Sequence, residues 1–251
     1  GSDNGAYGAG LLKGWTLAGN RPEFTIVTGV STGALIAPLA FLGADQDATL
    51  EKLFTTISAR DIYRGRFALA IPLSPSAAST KPLARLIDTV MTDALIDRIG
   101  REHKRGRRLF VGTANLDAQR MVIWNMGAIA DSSAAGRYAL FRQVLLASSA
   151  IPAFFTPVMI RAQFDGRVIE EMHVDGGAVA QAFLYPPTLN LKANSARYGI
   201  QRKRVAYILR NGRLFRPEEN VKRSTLSIAT QAISTMTATS GVNDTYRMYH
   251  H

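Results

Sequence analysis

The stretch Phe24-Thr25-Ile26-Val27 runs directly into Thr28-Gly29-Val30-Ser31-Thr32-Gly33 and then into Ala34-Leu35-Ile36-Ala37-Pro38-Leu39-Ala40-Phe41-Leu42. The first part is a short apolar run, which is typical of a buried strand, and the last part has the length and apolar character of a buried helix. Between them, two glycines surround a serine, and glycine marks sharp turns. The stretch therefore predicts a strand, a sharp turn and a helix in immediate succession, as in α/β proteins.

The turn has the form Gly-x-Ser-x-Gly, which is the nucleophile elbow pattern of acyl hydrolases. Gly29 and Gly33 lie two residues to either side of Ser31, and a side chain at either position is expected to collide with the neighbouring strand or helix. An elbow lifts the serine hydroxyl towards the positive end of the following helix, where developing negative charge is stabilised. A glycine-rich loop without function is the alternative, but the flanking strand and helix favour the elbow.

The composition predicts one α/β domain over residues 1–251. The chain has 251 residues, of which 47% are hydrophobic and 20% charged, and no segment rich in Gly, Pro or Ser divides it. No apolar run reaches the roughly 18 residues that a membrane span requires. The absence of cysteine excludes disulfides and cysteine-ligated metals. Gly1-Ser2 is typical of a cleavage scar and His250-His251 is either native or part of a tag, so truncation at both ends stays open.

The net charge of +11 points to an anionic partner, which is nucleic acid, an anionic membrane surface or an acidic substrate. A solvated basic surface is the alternative explanation. Two segments, 97–108 and 202–216, are especially rich in positive residues. The first segment is expected to form a solvated turn rather than a contact with phospholipid headgroups, because runs of charge are usually solvated.

Apolar patterns along the rest of the chain predict strands that alternate with helices. The predicted strands are residues 109–116, 121–125, 168–174 and 205–209. The predicted helices are 11–19, 47–58, 137–149 and 221–248, and residues 82–100 are expected to form one or two more. This alternation predicts a mostly parallel central sheet with helices on both faces. Residues 61–79 carry the apolar patch Phe67–Ile71 and are expected to form either a lid or a buried irregular segment.

A serine hydroxyl needs a base within hydrogen-bond reach before it becomes a good nucleophile. Four histidines are available: His103, His173, His250 and His251. Asp175 is a further candidate, because it follows a predicted strand and the glycines Gly176 and Gly177 after it permit close backbone approach. An Asp-Gly pair is also common in surface turns, and the residues alone leave the two interpretations equal.

The segment Asp3–Gly10 is a glycine-bearing loop that leads into a helix. Backbone N–H groups at such a helix start have no intrahelical partner and can hold the oxyanion of an acyl transfer intermediate. Small residues also let a helix pack closely on a sheet, and by itself the segment favours packing. An elbow nearby raises the weight of the oxyanion interpretation.

Four blocks of sequence occur in the order and rough spacing of the patatin-like phospholipases. They are Asp3–Gly10, Gly29–Gly33, Ala147–Pro152 and Asp175–Gly177, and the stretches 113–117 and 124–128 fit as well. The chain therefore resembles this family, in a form that suggests a bacterial member, over almost its whole length.

The resemblance implies a three-layer α/β/α sandwich and a serine lipid acyl hydrolase that uses a Ser-Asp dyad. It assigns Ser31 as the nucleophile and Asp175 as the general base, with an acyl-serine intermediate and no metal or other cofactor. In the family, backbone amides of a Gly-Gly-Gly-x-x-Gly loop hold the oxyanion. The corresponding residues here are Asp3, Asn4 and Gly5, of which only Gly5 matches the glycine pattern.

The implied substrate is a lipid ester. The implied activity is that of a phospholipase A, a lysophospholipase or another carboxylic ester hydrolase. The protein is expected to contact an anionic membrane peripherally. One alternative is a Ser-His-Asp esterase that uses His173 or a C-terminal histidine. Another is a non-catalytic basic module, in which Arg202-Lys203-Arg204, Arg210, Arg213 and Arg216 bind an anionic membrane or nucleic acid. Nucleic acid is disfavoured because the chain lacks a recognition motif for it. The oligomeric state and the compartment, whether cytoplasm, periplasm or membrane surface, stay open.

Overall fold

A computed structural model of the protein describes residues 5–55, 79–152, 154–186, 190–199, 201, 203–211, 221 and 223–249. Several residues singled out in the sequence lie outside these ranges. They are Asp3, Asn4, His250, His251, the proposed lid apart from Ser79, and the basic residues Arg202, Arg213 and Arg216.

Helices and strands are interspersed through the described residues up to Asp175, although they do not alternate one by one as the apolar patterns predict. The helices are α1 Gly5–Leu17, α2 Thr32–Leu42, α3 Asp47–Thr55, α4 Lys81–Val90, α5 Asp93–Lys104, α6 Met126–Asp131, α7 Arg137–Ser148, α8 Leu191–Arg197 and α9 Thr225–Tyr249. The strands are β1 Ile26–Val30, β2 Arg108–Asn115, β3 Arg120–Asn125, β4 Val158–Phe164 and β5 Arg167–Asp175. Short 3-10 turns occupy Ala44–Gln46 and Gly176–Ala178.

The strands form one mixed sheet in which β2 pairs with β3 on one edge and with β1 and β5 in succession on the other, and β5 also pairs with β4. Strand β1 is parallel to β2, whereas the pairs β2-β3, β2-β5 and β4-β5 are antiparallel. The α/β/α fold class is confirmed, but the expectation of a mostly parallel sheet is wrong for the strands that the structure describes. The reason is that β2-β3 and β4-β5 are hairpins closed by residues 116–119 and 165–166, and a hairpin makes its strands antiparallel.

The core lies between the sheet and the helices that pack on it. Helix α2 is buried along most of its length, and Phe41 is completely inaccessible to solvent. The interior strand β2 is buried from Leu109 to Asn115. Side chains of α7, among them Phe141 and Leu145, complete this core. The elbow helix is therefore held rigidly by apolar contacts, which stabilise the turn that precedes it.

The basic segment 97–108 forms the end of α5 and the start of β2, and several of its cations are paired. Arg98 bonds Asp45 at 2.6 Å, and Lys104 bonds Asp131 at 3.0 Å. Arg107 is largely buried, bonds Glu102 at 3.0 Å and donates to the carbonyl of Phe24. The segment is thus mostly helical and not the expected turn, but its charged side chains are largely solvated, with ion pairs at the surface and one arginine, Arg107, largely buried.

The predicted late strand at 205–209 is wrong. This segment has no strand partner within the described residues, and Val205, Tyr207 and Ile208 are 57%, 48% and 42% exposed. Tyr207 packs on Trp15 of α1 with ring centroids 4.8 Å apart. The apolar character of the segment therefore serves surface packing against α1. Within the described ranges, no helix has both the length and the apolar character needed to cross a membrane.

Candidate active site

Ser31 occupies the sharp turn between β1 and α2, as the Gly-x-Ser-x-Gly pattern predicts. Its backbone angles are φ 58 and ψ −127, a region that residues with a side chain rarely adopt. The Ser31 hydroxyl makes no capping bond to α2 and points elsewhere. Strained backbone of this kind persists only where the surrounding structure holds it in place.

The two glycines of the elbow have different environments. A Cβ at Gly29 would lie 2.4 Å from the carbonyl oxygen of Gly33 and 2.8 Å from the Cα of Ala34, and these backbone atoms cannot move aside. A Cβ at Gly33 would have no atom within 4 Å. The expectation that both positions are crowded is therefore correct for Gly29 and wrong for Gly33. The crowding arises because α2 folds back over the end of β1, whereas Gly33 faces open space.

The register of the sheet brings the end of β1 against the end of β5. Val30, the last residue of β1, pairs with Gly112, and Asp175, the last residue of β5, pairs with Thr113. Strands β1 and β5 lie along the same edge of β2 and run towards each other, because one is parallel and the other antiparallel to β2. Ser31 and Asp175 thus meet although 144 positions separate them in sequence.

Asp175 accepts two hydrogen bonds that fix its carboxylate. The Ser31 hydroxyl donates to Oδ2 at 2.5 Å, and the N–H of Gly177 donates to Oδ1 at 2.8 Å. The first distance is typical of a hydroxyl bonded to a charged carboxylate. Gly176 is required here, since a Cβ on it would lie 2.4 Å from the carbonyl oxygen of Gly112. Gly176 of the Asp-Gly-Gly pattern therefore lets the backbone approach β2 closely, and the aspartate of the pattern faces Ser31.

Burial alters the acidity of this carboxylate. Asp175 is only 5% exposed, and burial raises its pKa from 3.8 to about 6, while the bonds from Ser31 and Gly177 act in the opposite direction. Desolvation disfavours the charged form, so the carboxylate holds a proton more strongly than an exposed aspartate does. A carboxylate of this pKa is charged at neutral pH and is a better proton acceptor than an ordinary aspartate.

Two histidines of the described ranges do not contact Ser31. His173 is completely buried, and its ring nitrogens face Thr113 Oγ1 at 2.9 Å and Glu171 Oε2 at 3.3 Å. Its burial lowers its pKa. His103 lies on α5 next to Gly127. The histidine base of the alternative hypothesis thus has no support from the contacts of these two residues.

The first turn of α1 lies against the elbow helix. Helix α1 begins at Gly5, so the loop predicted over Asp3–Gly10 is already helical from its third residue. A Cβ at Gly5 would lie 2.5 Å from Cγ2 of Thr32, the residue that follows Ser31. The N–H of Gly8 donates to Asn211 Oδ1 at 3.1 Å. The N-terminal end of α1, which carries the partial positive charge of the helix dipole, therefore approaches the elbow.

Sequence reasoning missed two groups, one that bonds the backbones of Ser31 and Asp175 and one that bonds α1. The block Ala147–Pro152 received no role, yet Ser148 and Ala150 bond the backbones of Ser31 and Asp175. Asn211, which caps α1, had no signal at all because it lies 203 positions away from Gly8. The described residues include no group of three or more His, Asp or Glu side chains arranged to hold a metal ion.

An α/β fold with a serine on a strained strand-to-helix turn is typical of acyl hydrolases. The model of the patatin-like phospholipase family matches residues 1–186, and the chain belongs to this family of lipid acyl hydrolases. The matched region contains the elbow and ends shortly after Asp175-Gly176-Gly177. No curated protein matches the chain.

Proposed function

We propose that the protein is a serine lipid acyl hydrolase that cleaves carboxylic esters of lipids through a Ser31-Asp175 dyad. The observation that carries this proposal is the 2.5 Å hydrogen bond from the Ser31 hydroxyl to the buried carboxylate of Asp175. Membership in the patatin-like phospholipase family supports the lipid substrate. The ester is that of a phospholipid, a lysophospholipid or another lipid, and the catalytic unit is a single domain.

The reaction begins when Asp175 takes the proton of Ser31 as the hydroxyl oxygen attacks the ester carbonyl. A tetrahedral intermediate forms, its carbon-oxygen bond to the alcohol breaks, and the alcohol leaves with the proton from Asp175. The acyl group stays on Ser31 as an ester. Asp175 then takes a proton from water, and the water oxygen attacks the acyl carbonyl to form a second tetrahedral intermediate. When the bond to the Ser31 oxygen breaks, Asp175 returns this proton to that oxygen, which releases the fatty acid and restores both residues.

The oxyanion of the intermediate requires hydrogen-bond donors close to Ser31. We assign this task to backbone amides at the start of α1, around Gly5, for which Asp3 and Asn4 are the remaining candidates from the sequence. The support is the close approach of Gly5 to Thr32, beside the nucleophile. Donors at a helix start also carry the partial positive charge of the helix dipole.

A fluorophosphonate probe should label the protein at Ser31, because such probes form a covalent bond only with an activated serine. Mass spectrometry of the digested protein is expected to find the label on the peptide that contains Ser31. The variants Ser31→Ala and Asp175→Asn should take up no label at the same probe concentration. Label on another serine, or equal labelling of Asp175→Asn, would contradict the proposed dyad.

The activity should depend on pH in the way that the base requires. Asp175 accepts a proton only in its charged form, and its pKa is about 6, so kcat/KM should rise with pH and level off above this value. The measurement is a pH profile of kcat/KM with a soluble ester, corrected with Ser31→Ala for background hydrolysis. A profile already level at about pH 4.5, as an ordinary exposed aspartate would give, would contradict this assignment.

A further inference from the structure

The block Ala147–Pro152 lies at the end of α7, and its backbone and side chains reach both residues of the proposed dyad. Ser148 is completely buried, and its hydroxyl makes two hydrogen bonds. It accepts the N–H of Ser31 at 3.0 Å and donates to the carbonyl of Gly112 at 2.7 Å. One hydroxyl thus connects the elbow to the central strand β2, with its donor and an acceptor site both used.

The same block fixes the base. Directly after Ser148 and Ser149, the carbonyl of Ala150 accepts the N–H of Asp175 at 2.9 Å. Gly112, to which Ser148 donates, is also the residue against which Gly176 packs. The end of α7 therefore holds the elbow, the central strand and the end of β5 together through consecutive residues.

The bond from Ser148 acts where the backbone is strained. Ser31 has φ 58, and such a conformation persists only when its surroundings determine it. Apolar packing of α2 holds the far side of the elbow. On the near side, the Ser148 hydroxyl accepts the Ser31 N–H, and its loss would remove this acceptor. Ser31 is partly buried, and a partly buried N–H that loses its partner is unfavourable, so the turn would shift to find one.

We propose that Ser148 is a positioning residue that holds the elbow backbone so that the Ser31 hydroxyl faces Asp175. This inference rests on the proposed function for its catalytic consequence, whereas the hydrogen bond itself is independent of it. Ser148 does not touch the reacting atoms. Its effect on catalysis comes from the orientation of Ser31, because misplacement of a nucleophile by about 1 Å costs on the order of a hundredfold in rate.

Ser149 provides a matched control. It is the next residue and has the same side chain, and its hydroxyl also faces the backbone of Ser31, but at a distance of 3.4 Å from the carbonyl oxygen. That carbonyl already accepts the N–H of Ala34 at 2.8 Å. Loss of the Ser149 hydroxyl therefore leaves no group of the elbow without a partner, unlike loss of the Ser148 hydroxyl.

The test compares Ser148→Ala with Ser149→Ala by burst kinetics with p-nitrophenyl butyrate. In Ser148→Ala, the maximal acylation rate per folded enzyme should fall by about 30-fold to 100-fold. The ester concentration at half-maximal acylation should change by less than about threefold, because the bond orients the nucleophile and does not bind substrate. Ser149→Ala should stay within about threefold of the wild type on both measures. Equal acylation rates in the two variants would overturn the inference.

Amide hydrogen exchange at Ser31 gives a second measurement that needs no turnover. The Ser31 amide should exchange about tenfold faster or more in Ser148→Ala than in the wild type and in Ser149→Ala. An unchanged exchange rate at this amide would overturn the inference even in an active enzyme. Should Ser148→Ala fail to fold, Ser148→Cys is close to serine in size and is compared in the same way. A wild type without acylation would instead contradict the proposed function, and the exchange rates would still decide the role of Ser148.

Discussion

Replacement of Asp175 by asparagine should lower kcat/KM for a lipid ester by roughly 10⁴-fold, with a loss at least as large for Ser31→Ala. Asparagine has nearly the same shape as aspartate but cannot accept the proton of the Ser31 hydroxyl. In the wild type, this hydroxyl donates to Asp175 Oδ2, and the N–H of Gly177 donates to Oδ1. Asparagine can keep the bond from Gly177 and donate to Ser31, so the variant loses the base and keeps the contacts.

The measurement is hydrolysis of a dispersed phospholipid and of a soluble ester by purified variants. Asp165→Asn is a matched control, because it is the same substitution at an exposed position in the β4-β5 turn, where the left-handed backbone suits asparagine. It should leave kcat/KM unchanged. Turnover of Asp175→Asn within about tenfold of the wild type would exclude Asp175 as the general base.

The stability of Asp175→Asn separates loss of catalysis from loss of folding. The pKa of Asp175 is about 6 in the folded protein, against 3.8 for an ordinary aspartate such as that of the unfolded chain. Because the folded-state pKa is the higher one, the folded protein binds the proton of Asp175 more tightly than the unfolded chain does. The resulting stabilisation of the fold is fully present below about pH 4 and is lost as pH rises through about 6. The difference of about two units corresponds to roughly 3 kcal/mol. Asparagine carries no charge and avoids this cost of burying a charged carboxylate, so at pH 8 the variant should unfold at a higher denaturant concentration than the wild type.

The second large effect is expected for Gly29→Ala, which should lower the free energy of unfolding by about 3 kcal/mol or prevent folding. The new Cβ would lie 2.4 Å from the carbonyl oxygen of Gly33 and 2.7 Å from its carbonyl carbon. Both are backbone atoms in the first turn of α2, and this helix is fixed by the core. The substitution therefore has to push the helix away from the end of β1.

Gly33→Ala tests whether crowding, rather than the loss of a glycine, causes this effect. A Cβ at Gly33 meets no atom within 4 Å, and the residue lies inside α2. Alanine there should raise the free energy of unfolding by about 0.5 to 1 kcal/mol, since glycine is unfavourable in helices. Urea unfolding of both variants is the measurement. Similar unfolding midpoints for the two would contradict the close approach of α2 to Gly29.

The hairpin β4-β5 had a signal in the sequence that was not used. Asp165 and Gly166 both have positive φ, at 47 and 73, and an Asp-Gly pair between two extended segments is a strong indicator of a two-residue hairpin. This pair would have predicted that β5 is antiparallel to β4. The error about a mostly parallel sheet therefore arose in part from reading β5 as an isolated strand.

The sequence by itself determined the features that depend on neighbouring residues. Apolar runs and glycine spacing predicted the strand, elbow and helix around Ser31, and they placed Asp175 at the end of a strand, because such patterns reflect local backbone geometry. Only the tertiary structure decided that β1 and β5 meet end to end on β2, that burial raises the pKa of Asp175 to about 6, and that Ser148 bonds the Ser31 N–H. These features depend on strand pairing and desolvation between residues far apart in the chain, which no local pattern records.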